Sequence, residues 1–374
     1  MKRDLILIGL SLITWGVGEA MFFIFQPLYL QQLGADPVAI GIIFGAAGIA
    51  MTIVHIPAGH LADRLGRKPL LIASWILALL ATWVMALAPS LPLFVVGMLL
   101  YNLTAFVSSP LSSYITAARG RLSVERALTM VSAFYNAGAI LGPWLGGMVG
   151  ERLGLRTIYF FSGSIFIISF GILLLIKPQP IEVPSPAESG NSNFINRRFI
   201  GYLAIILLAG FSMYLAQPLS SNYLQNQQHL DLESIGLLGT ISSVGIVILN
   251  LGLGNLKPYF GYLLAQISVA LFALILWRST NFAWFSLGFL LLGGYRFSRS
   301  LATALTKNLV HQSRMGLAYG MTETVSASAI ILAPPVAGIL YQIDPAMMYI
   351  VAFILILVSI AVSALFIPRP STPS

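Results

Sequence analysis

The sequence contains no cysteine among its 374 residues. The protein therefore forms no disulfide, has no thiolate nucleophile and offers no cysteine ligand to zinc. Its four histidines have no second ligand at metal-binding spacing, so no metal site is predicted. The motifs of nucleotide-binding loops, serine hydrolases and zinc hydrolases are absent as well. The sequence thus indicates neither an enzyme nor ATP as an energy source.

Charged residues are scarce, at 9% of the chain, whereas hydrophobic residues make up 57%. A soluble domain has about 25% charged residues, so this chain cannot cover a water-exposed surface. Its apolar residues form continuous runs near the roughly 20 residues that cross a bilayer, without the alternation of a membrane β-barrel. The sequence therefore predicts an all-α polytopic membrane protein in contact with the lipid bilayer.

Turn and charge signals divide these runs into twelve predicted membrane-spanning helices. We number them spans 1 to 12, at residues 5–30, 38–58, 69–88, 91–116, 127–149, 157–176, 199–222, 234–254, 259–277, 282–305, 316–340 and 346–367.

The basic residues are distributed unevenly between the two sides of the predicted membrane. One side holds both termini and most Lys and Arg, whereas the other holds only Arg152, Arg156 and Arg278. The positive-inside rule places the first side in the cytoplasm. We expect a multi-pass protein of the cell inner (plasma) membrane with both termini cytoplasmic. Because topology accounts for the net charge of +8, no nucleic-acid partner is predicted.

The chain repeats itself at a shift of 191 residues. Gln26-Pro27-Leu28 in span 1 matches Gln217-Pro218-Leu219 in span 7, and Pro143 in span 5 matches Pro334 in span 11. Both matches have the same orientation in the membrane, which indicates a parallel repeat with a substrate path between the halves. We predict an N-terminal six-helix bundle at residues 1–176, a flexible linker at 177–198 and a C-terminal six-helix bundle at 199–374.

The most specific motif is Gly59-His60-Leu61-Ala62-Asp63-Arg64-Leu65-Gly66-Arg67-Lys68, between spans 2 and 3. It resembles the signature loop of the major facilitator superfamily at every defining position. The resemblance implies two six-helix bundles and a cytoplasmic latch that steadies the outward-open state. The implied gating residues are Gly59, Asp63, Arg64, Gly66 and Arg67, with Arg119 as a partner for Asp63. The corresponding loop of the second half lacks the acid, so the latch is expected on one side.

A second motif lies in span 5 and comprises Gly138, Gly142, Pro143, Gly146 and Gly147. Small residues at this spacing let membrane helices pack closely. The motif resembles that of the antiporter branches of the superfamily, especially drug:proton antiporters, and thus implies export. One feature of proton-coupled members is missing, because the first half of span 4 contains no arginine. The coupling mechanism is therefore left open.

Four ionisable residues lie well inside the predicted spans, namely Glu19, Arg296, Arg299 and Glu323. A charge at the centre of a membrane helix costs about 2.5–3.5 kcal/mol on insertion scales, so each charge needs a partner or water. Their spans 1, 10 and 11 are, by family resemblance, spans that line or flank the cavity. Glu19 and Glu323 are therefore candidates for proton coupling.

Glu19 belongs to the stripe Trp15, Glu19, Phe22, Gln26 and Tyr29, which is expected to line the cavity. It could titrate protons, bind a cation or form a structural ion pair. Arg299 and Glu323 lie at similar depths on consecutive spans, so they could form a pair that is structural or that breaks during transport. Arg296, one turn deeper, could bind an anionic substrate group or pair with Glu19. Further predicted cavity residues are Asn102, Ser109, Ser112, Tyr135, Asn136, Tyr214 and Gln217.

The leading functional hypothesis is a secondary active transporter of small molecules that works by alternating access, without a cofactor and with the proton gradient as energy source. Its expected mode is proton-coupled efflux of amphiphilic compounds, by a monomer. One alternative is uptake or facilitated transport of a specific organic solute or anion. Another is a membrane sensor or assembly subunit that moves no solute.

Overall fold

The computed structural model describes residues 3–54, 66–179, 197–253, 256–306 and 315–367. Regular secondary structure within these residues is helical throughout, which confirms the all-α prediction. The α-helices are α1 (Arg3–Phe23), α2 (Gln26–Gln32), α3 (Pro37–Ile53), α4 (Arg67–Leu87), α5 (Leu91–Leu103), α6 (Ser108–Ala118), α7 (Val124–Leu153), α8 (Leu155–Leu174), α9 (Arg197–Leu215), α10 (Ser220–Asn226), α11 (Leu232–Leu253), α12 (Pro258–Arg278), α13 (Phe282–Leu292), α14 (Gly294–Thr306), α15 (Met315–Ile343) and α16 (Met347–Phe366).

Each predicted span coincides with one of these helices or with two in succession. Nine helical stretches of the described residues are long and apolar enough to cross a membrane, and α3 is a shorter apolar helix. Neither α7, which is rich in small and polar residues, nor the short helices α13 and α14 meet the same criterion. The number of twelve spans therefore stays a prediction.

Spans 1, 4, 7 and 10 are each interrupted, spans 4 and 10 near the middle and spans 1 and 7 nearer their second end. Residues 24–25 separate α1 from α2, a 3₁₀ turn (Thr104–Val107) separates α5 from α6, residues 216–219 separate α9 from α10, and Gly293 separates α13 from α14. Pro27 lies just after the first break and Pro218 lies within the third, and neither proline can donate a backbone hydrogen bond. Interrupted helices are typical of the spans that carry transport sites.

The helices form two compact units. Unit 1 comprises Met1–Ala35, Ala46–Ser189 and Leu230–Thr240, and unit 2 comprises Asp36–Gly45, Gly190–His229 and Ile241–Ser374. The predicted domain boundaries stay a prediction, because most of the predicted linker lies outside the described residues.

Unit 1 is built around α1, which packs most extensively against α7 and α8. Its core is aromatic, with the ring centroid of Trp15 lying 4.4 Å from that of Trp75 and 4.9 Å from that of Phe166. The buried indole Nε1 of Trp75 donates to the hydroxyls of Ser11 and Ser169 at 3.1 and 3.0 Å. This network ties α1, α4 and α8 together.

Unit 2 is built around α9 and α12, which pack against α14, α15 and α16. A polar network also crosses this interior, where the Gln266 side chain bonds to the hydroxyls of Ser359 and Ser363 at 2.8 and 3.1 Å. Networks of this kind satisfy buried polar side chains inside each unit, where lipid offers no hydrogen-bond partner.

Candidate functional site

The glycines of the span 5 motif bring α7 into backbone contact with α1. A Cβ placed on Gly138 or Gly146 would lie 2.1 Å from the carbonyl oxygen of Ile13 or Met21, and one on Gly142 would lie 2.6 Å from a carbonyl of α1. These three glycines recur every four residues, so they occupy one face of α7. The close packing that the sequence predicts is therefore made against α1.

The rest of the motif contacts the first turns of α11, within unit 1. A Cβ on Gly147 would lie 2.6 Å from the carbonyl oxygen of Leu232, and one on Gly236 would lie 2.4 Å from that of Pro143. Glu151, one turn further along α7, accepts a hydrogen bond from the backbone N–H of Leu232 at 2.8 Å. A carboxylate is favourable at this helix N-terminus.

Close packing of α1 on α7 places Glu19 beside two tyrosines. Tyr135 of α7 donates its phenol hydrogen to Glu19 Oε2 at 2.6 Å, and Tyr101 of α5 donates to Glu19 Oε1 at 3.0 Å. Both carboxylate oxygens are therefore hydrogen-bonded by neutral donors. We call Glu19, Tyr101 and Tyr135 the Glu19 cluster.

The stripe that contains Glu19 is an interior face of unit 1. Trp15 is 7% exposed and Gln26 is 1% exposed, while Phe22 and Tyr29 pack on the buried ring of Tyr159. This differs from the expected cavity lining, since a polar stripe on a membrane helix can face either water or other helices. Glu19 itself is half-buried.

Most other predicted cavity residues bond to their own helices. The side-chain amides of Asn102, Asn136 and Gln217 donate to the carbonyls four residues earlier, and the Ser112 hydroxyl does the same. Ser109 is exposed, and the ring of Tyr214 lies 5.4 Å from that of Tyr295. A cavity role for this set stays a prediction.

The second intramembrane acid lies in unit 2 and has a cationic partner. Arg299 Nη2 donates to Glu323 Oε2 at 3.0 Å, and the Thr303 hydroxyl donates to Glu323 Oε1 at 3.0 Å. The structure therefore contains the ion pair inferred from equal depth. The side chains of Arg299 and Glu323 are 33% and 51% exposed, so the ion pair is not enclosed within unit 2. Arg296 is exposed.

The described part of the signature loop holds the end of α8. Gly66 has a φ of 81°, a conformation that favours glycine, and directly precedes α4. Arg67 donates to the Gln179 side chain at 3.0 Å, and Lys68 donates to the carbonyls of Leu174 and Ile176 at 3.3 and 2.6 Å. A cation is favourable at this helix C-terminus.

The predicted latch itself falls largely outside the described residues, because Gly59, Asp63 and Arg64 are not among them. Arg119, the predicted partner of Asp63, donates to the carbonyl of Thr116 at 2.9 Å. The latch stays a prediction.

Two partners of the intramembrane acids were missed from the sequence, namely Tyr101 and Thr303. A buried tyrosine in a lipid-spanning helix needs a hydrogen-bond partner, so Tyr101 carried a usable signal. Thr303 lies one turn after Arg299 on α14, where it shares the same face.

The sequence model of the Major Facilitator Superfamily matches residues 7–256 and residues 202–374. The chain therefore belongs to the major facilitator superfamily. With the helical fold described above, this identifies a multi-pass membrane protein that acts as a secondary transporter of small molecules.

Individual relatives sharpen the assignment within the family. Multidrug resistance protein 2 of Bacillus subtilis is 24% identical over 348 residues, which cover 88% of this chain and 86% of the relative. Quinolone resistance protein NorA of Staphylococcus aureus is 21% identical over 361 residues, which cover 92% and 91%. The chain thus resembles the drug:proton antiporter branch, in agreement with its span 5 motif.

A solved structure shows the same fold. The crystal structure of the nucleoside transporter NupG matches with a TM-score of 0.80 at 13% identity, covering 97% of this chain and 98% of that one.

Proposed function

We propose that this protein is a proton-coupled exporter of small amphiphilic compounds and that Glu19 is its coupling acid. The observation that supports this proposal most directly is the Glu19 cluster, in which an intramembrane carboxylate accepts hydrogen bonds from two phenols within unit 1. The proton gradient is the energy source, and no cofactor takes part. Export as the direction is supported by the span 5 motif and by the drug-resistance proteins among the relatives.

The free energies involved allow both the protonated and the ionised form of Glu19 to be populated. An ionised carboxylate inside a membrane helix costs about 2.5–3.5 kcal/mol on insertion scales. A hydrogen bond to a charged group contributes about 1.5–3 kcal/mol, so two phenols offset a cost of that size. A coupling acid needs this balance, because a group that keeps one charge state throughout cannot carry a proton.

Proton and solute would then compete at Glu19. The ionised carboxylate attracts a cationic group of the solute, and the protonated carboxyl does not. Proton release and solute binding are therefore linked, which is the exchange that an antiporter requires. Alternating access would then carry the proton and the solute across the membrane in turn.

Topology and assembly complete the proposal. The distribution of basic residues supports an inner (plasma) membrane location with both termini in the cytoplasm. Each unit has its own packed core, so a monomer suffices for transport.

A second function, uptake or facilitated movement of an organic anion, is favoured by one observation. Arg296 and Arg299 both lie on α14, Arg296 is exposed and Arg299 is partly exposed, so they could bind a carboxylate or phosphate. In that case Glu323, rather than Glu19, would be the proton-coupling acid.

The test is proton movement in proteoliposomes under an imposed pH gradient. A panel of lipophilic cations and organic anions is added to wild type, Glu19→Gln and Glu323→Gln. Export by the proposed mechanism predicts solute-induced proton flux in wild type and in Glu323→Gln but none in Glu19→Gln. Normal solute exchange without proton flux in wild type would contradict proton antiport, and loss in Glu323→Gln alone would favour anion uptake.

A further inference from the structure

Three buried polar side-chain atoms of unit 1 have no hydrogen-bond partner among the described residues. They are Nε2 of Gln26 on α2 and, on α8, Oη of Tyr159 and Oγ of Ser162. The three residues are 1%, 0% and 0% exposed, respectively. Buried polar groups in native proteins nearly always have a partner, and where the protein supplies none, an ordered water commonly does. Each of these atoms therefore indicates a place for a buried water.

The three residues are neighbours where α2 meets α8. Gln26 and Tyr29 share one face of α2, and the ring centroid of Tyr29 lies 5.3 Å from that of Tyr159. Tyr159 and Ser162 lie one turn apart on α8. Phe22, near the end of α1, packs on Tyr159 with ring centroids 5.4 Å apart. The unpartnered amide and the two unpartnered hydroxyls thus belong to one region of unit 1.

The same region adjoins the Glu19 cluster. The ring centroid of Tyr101 lies 5.2 Å from that of Phe22. It lies 6.1 Å from that of Phe166, which follows Ser162 by one turn of α8. Tyr101 in turn donates to Glu19 Oε1 at 3.0 Å. Ser162 therefore lies about one helical turn, roughly 5.4 Å, from the level of a hydrogen-bond donor to Glu19.

In the other direction the region leads to the first turn of α8. Arg156, one turn before Tyr159, is exposed, and its Nε donates to the carbonyl of Ala86 at 2.7 Å. With Ser162 and Phe166, these two residues of α8 recur every three or four positions and form one stripe. The proposed topology places the first turn of α8 outside the cytoplasm. The stripe thus runs over about 15 Å from the extracytoplasmic surface into the interior of unit 1.

We propose that ordered water bound by Gln26, Tyr159 and Ser162 is the route by which a proton reaches Glu19 from the extracytoplasmic side. A hydroxyl both donates and accepts hydrogen bonds, so Tyr159 and Ser162 can pass a proton on. The Nε2 group of Gln26 only donates, so it fixes a water in place. The proton therefore travels inside unit 1, and the solute does not share this path.

The transfer leaves each hydroxyl as it was. The oxygen accepts a proton from the water on its outer side and releases its own hydrogen to the water on its inner side. The last water gives a proton to Tyr101 as Tyr101 gives its phenol hydrogen to Glu19 Oε1. Only Glu19 changes its charge.

Glu19 is the acid at which this route ends. The helices α2, α4, α5, α6 and α8, all of which are described, contain no Asp or Glu. Asp4 and Glu125 lie at the opposite ends of α1 and α7, and Glu151 accepts the hydrogen bond from Leu232 at the outer end of α7. The other ionisable side chains beside the route are Tyr29, Tyr101, Tyr135 and Arg156. The guanidinium of Arg156 is exposed, so water and salt screen its charge.

This route deepens the proposed function and rests on it, because Glu19 must be the coupling acid. Water at the three unpartnered groups is a property of the folded protein and needs neither a gradient nor a solute. Failure of the water site and failure of proton antiport can therefore be told apart.

The water is tested by thermal unfolding of the purified full chain in detergent. Tyr159→Phe and Ser162→Ala each remove one hydroxyl oxygen. A buried hydroxyl without a partner is unfavourable, so its removal would raise the unfolding midpoint, whereas loss of a hydrogen bond to water lowers it. Ser164→Ala is the matched control for the higher helix propensity of Ala, since Ser164 lies on the same helix, is exposed and donates to the carbonyl of Phe160 at 2.9 Å.

The midpoint of Tyr159→Phe is expected below that of wild type, and the midpoint of Ser162→Ala below that of Ser164→Ala. A midpoint at or above the reference in either variant would show that its hydroxyl binds no water and would overturn the proposal.

The route itself is tested in proteoliposomes with ethidium and tetraphenylphosphonium as solutes. Tyr159→Phe and Ser162→Ala are each expected to slow solute-induced proton flux roughly 3- to 10-fold, as loss of one hydrogen bond from the chain of waters would. Solute exchange without a pH gradient is expected to stay at the wild-type rate, because the solute does not pass through this region. Ser164→Ala is expected to change neither rate.

Two results would overturn the route and leave Glu19 as the coupling acid. Proton flux at the wild-type rate in either variant would show that the proton reaches Glu19 in another way. An equal loss of proton flux and of solute exchange would show that the hydroxyl only supports the packing of α8. Absence of proton flux in wild type would instead contradict the proposed function, and the route with it, whatever the unfolding midpoints show.

Discussion

The two units hold their intramembrane acids in different ways. In unit 1, Glu19 is half-buried and accepts hydrogen bonds from the neutral phenols of Tyr101 and Tyr135. In unit 2, Glu323 is half exposed and pairs with Arg299. A proton that binds to Glu19 neutralises a carboxylate to which two phenols donate hydrogen bonds. A proton that binds to Glu323 instead weakens its ion pair with Arg299.

Under the proposed function, Glu19 carries the coupled proton, whereas Glu323 holds the guanidinium of Arg299. The contrast also explains why a search for paired charges finds only one of the two sites. Tyr101 and Tyr135 are uncharged, so a search for residues of opposite charge does not find them.

The largest expected effect comes from Glu19→Gln, which keeps the shape of the side chain and removes its titration. This variant is expected to lose accumulation driven by a pH gradient and to keep solute exchange without a gradient. The two activities are measured in the same proteoliposomes. If Glu19→Gln accumulated solute at the wild-type rate under a pH gradient, Glu19 would not be the coupling acid.

The next effect concerns the helix packing that positions the Glu19 cluster. Gly138→Ala places a methyl group against the carbonyl of Ile13, where a Cβ would lie 2.1 Å away. Overpacking of this kind costs about 1–3 kcal/mol, so the thermal unfolding midpoint in detergent should fall. Gly171→Ala is the matched control, because nothing lies within 4 Å of a Cβ there. Equal midpoints for the two variants would show that α1 and α7 tolerate separation.

A smaller effect is expected for the phenols themselves. Tyr135→Phe and Tyr101→Phe each remove one hydrogen bond from Glu19, and interacting neighbours couple by about 0.5–3 kcal/mol. Double-mutant cycles with Glu19→Gln, measured by chemical unfolding, isolate that coupling. Tyr135 is expected to couple more strongly, since its bond is the shorter one at 2.6 Å against 3.0 Å. Additive effects of the paired changes would mean that these bonds do not hold the carboxylate.

The smallest effect is expected for Glu323→Gln on stability. Exposed ion pairs contribute about 0–1 kcal/mol, and the two partners of this pair are 33% and 51% exposed. Its unfolding midpoint should therefore lie near that of wild type, while the Glu19 variants differ. A large loss of stability in Glu323→Gln would contradict this and show that the ion pair with Arg299 is a structural element of unit 2.

Sequence reasoning predicted the helices and the ion pair but not the surroundings of Glu19. Long apolar runs define membrane helices by length, and Arg299 and Glu323 could be matched by depth on consecutive spans. The partners of Glu19 lie 82 and 116 residues away along the chain. The depth of a residue in the membrane does not tell which way its helix is rotated. The sequence therefore could not show that the Glu19 stripe faces the interior of unit 1.

The most direct test of the account is proton release on solute binding, measured with a pH indicator and purified protein in weakly buffered detergent. A solute that the proteoliposome panel identifies is added to wild type, Glu19→Gln and Glu323→Gln. The account predicts proton release from wild type and from Glu323→Gln and none from Glu19→Gln. Undiminished release from Glu19→Gln would contradict the assignment of Glu19 as the coupling acid.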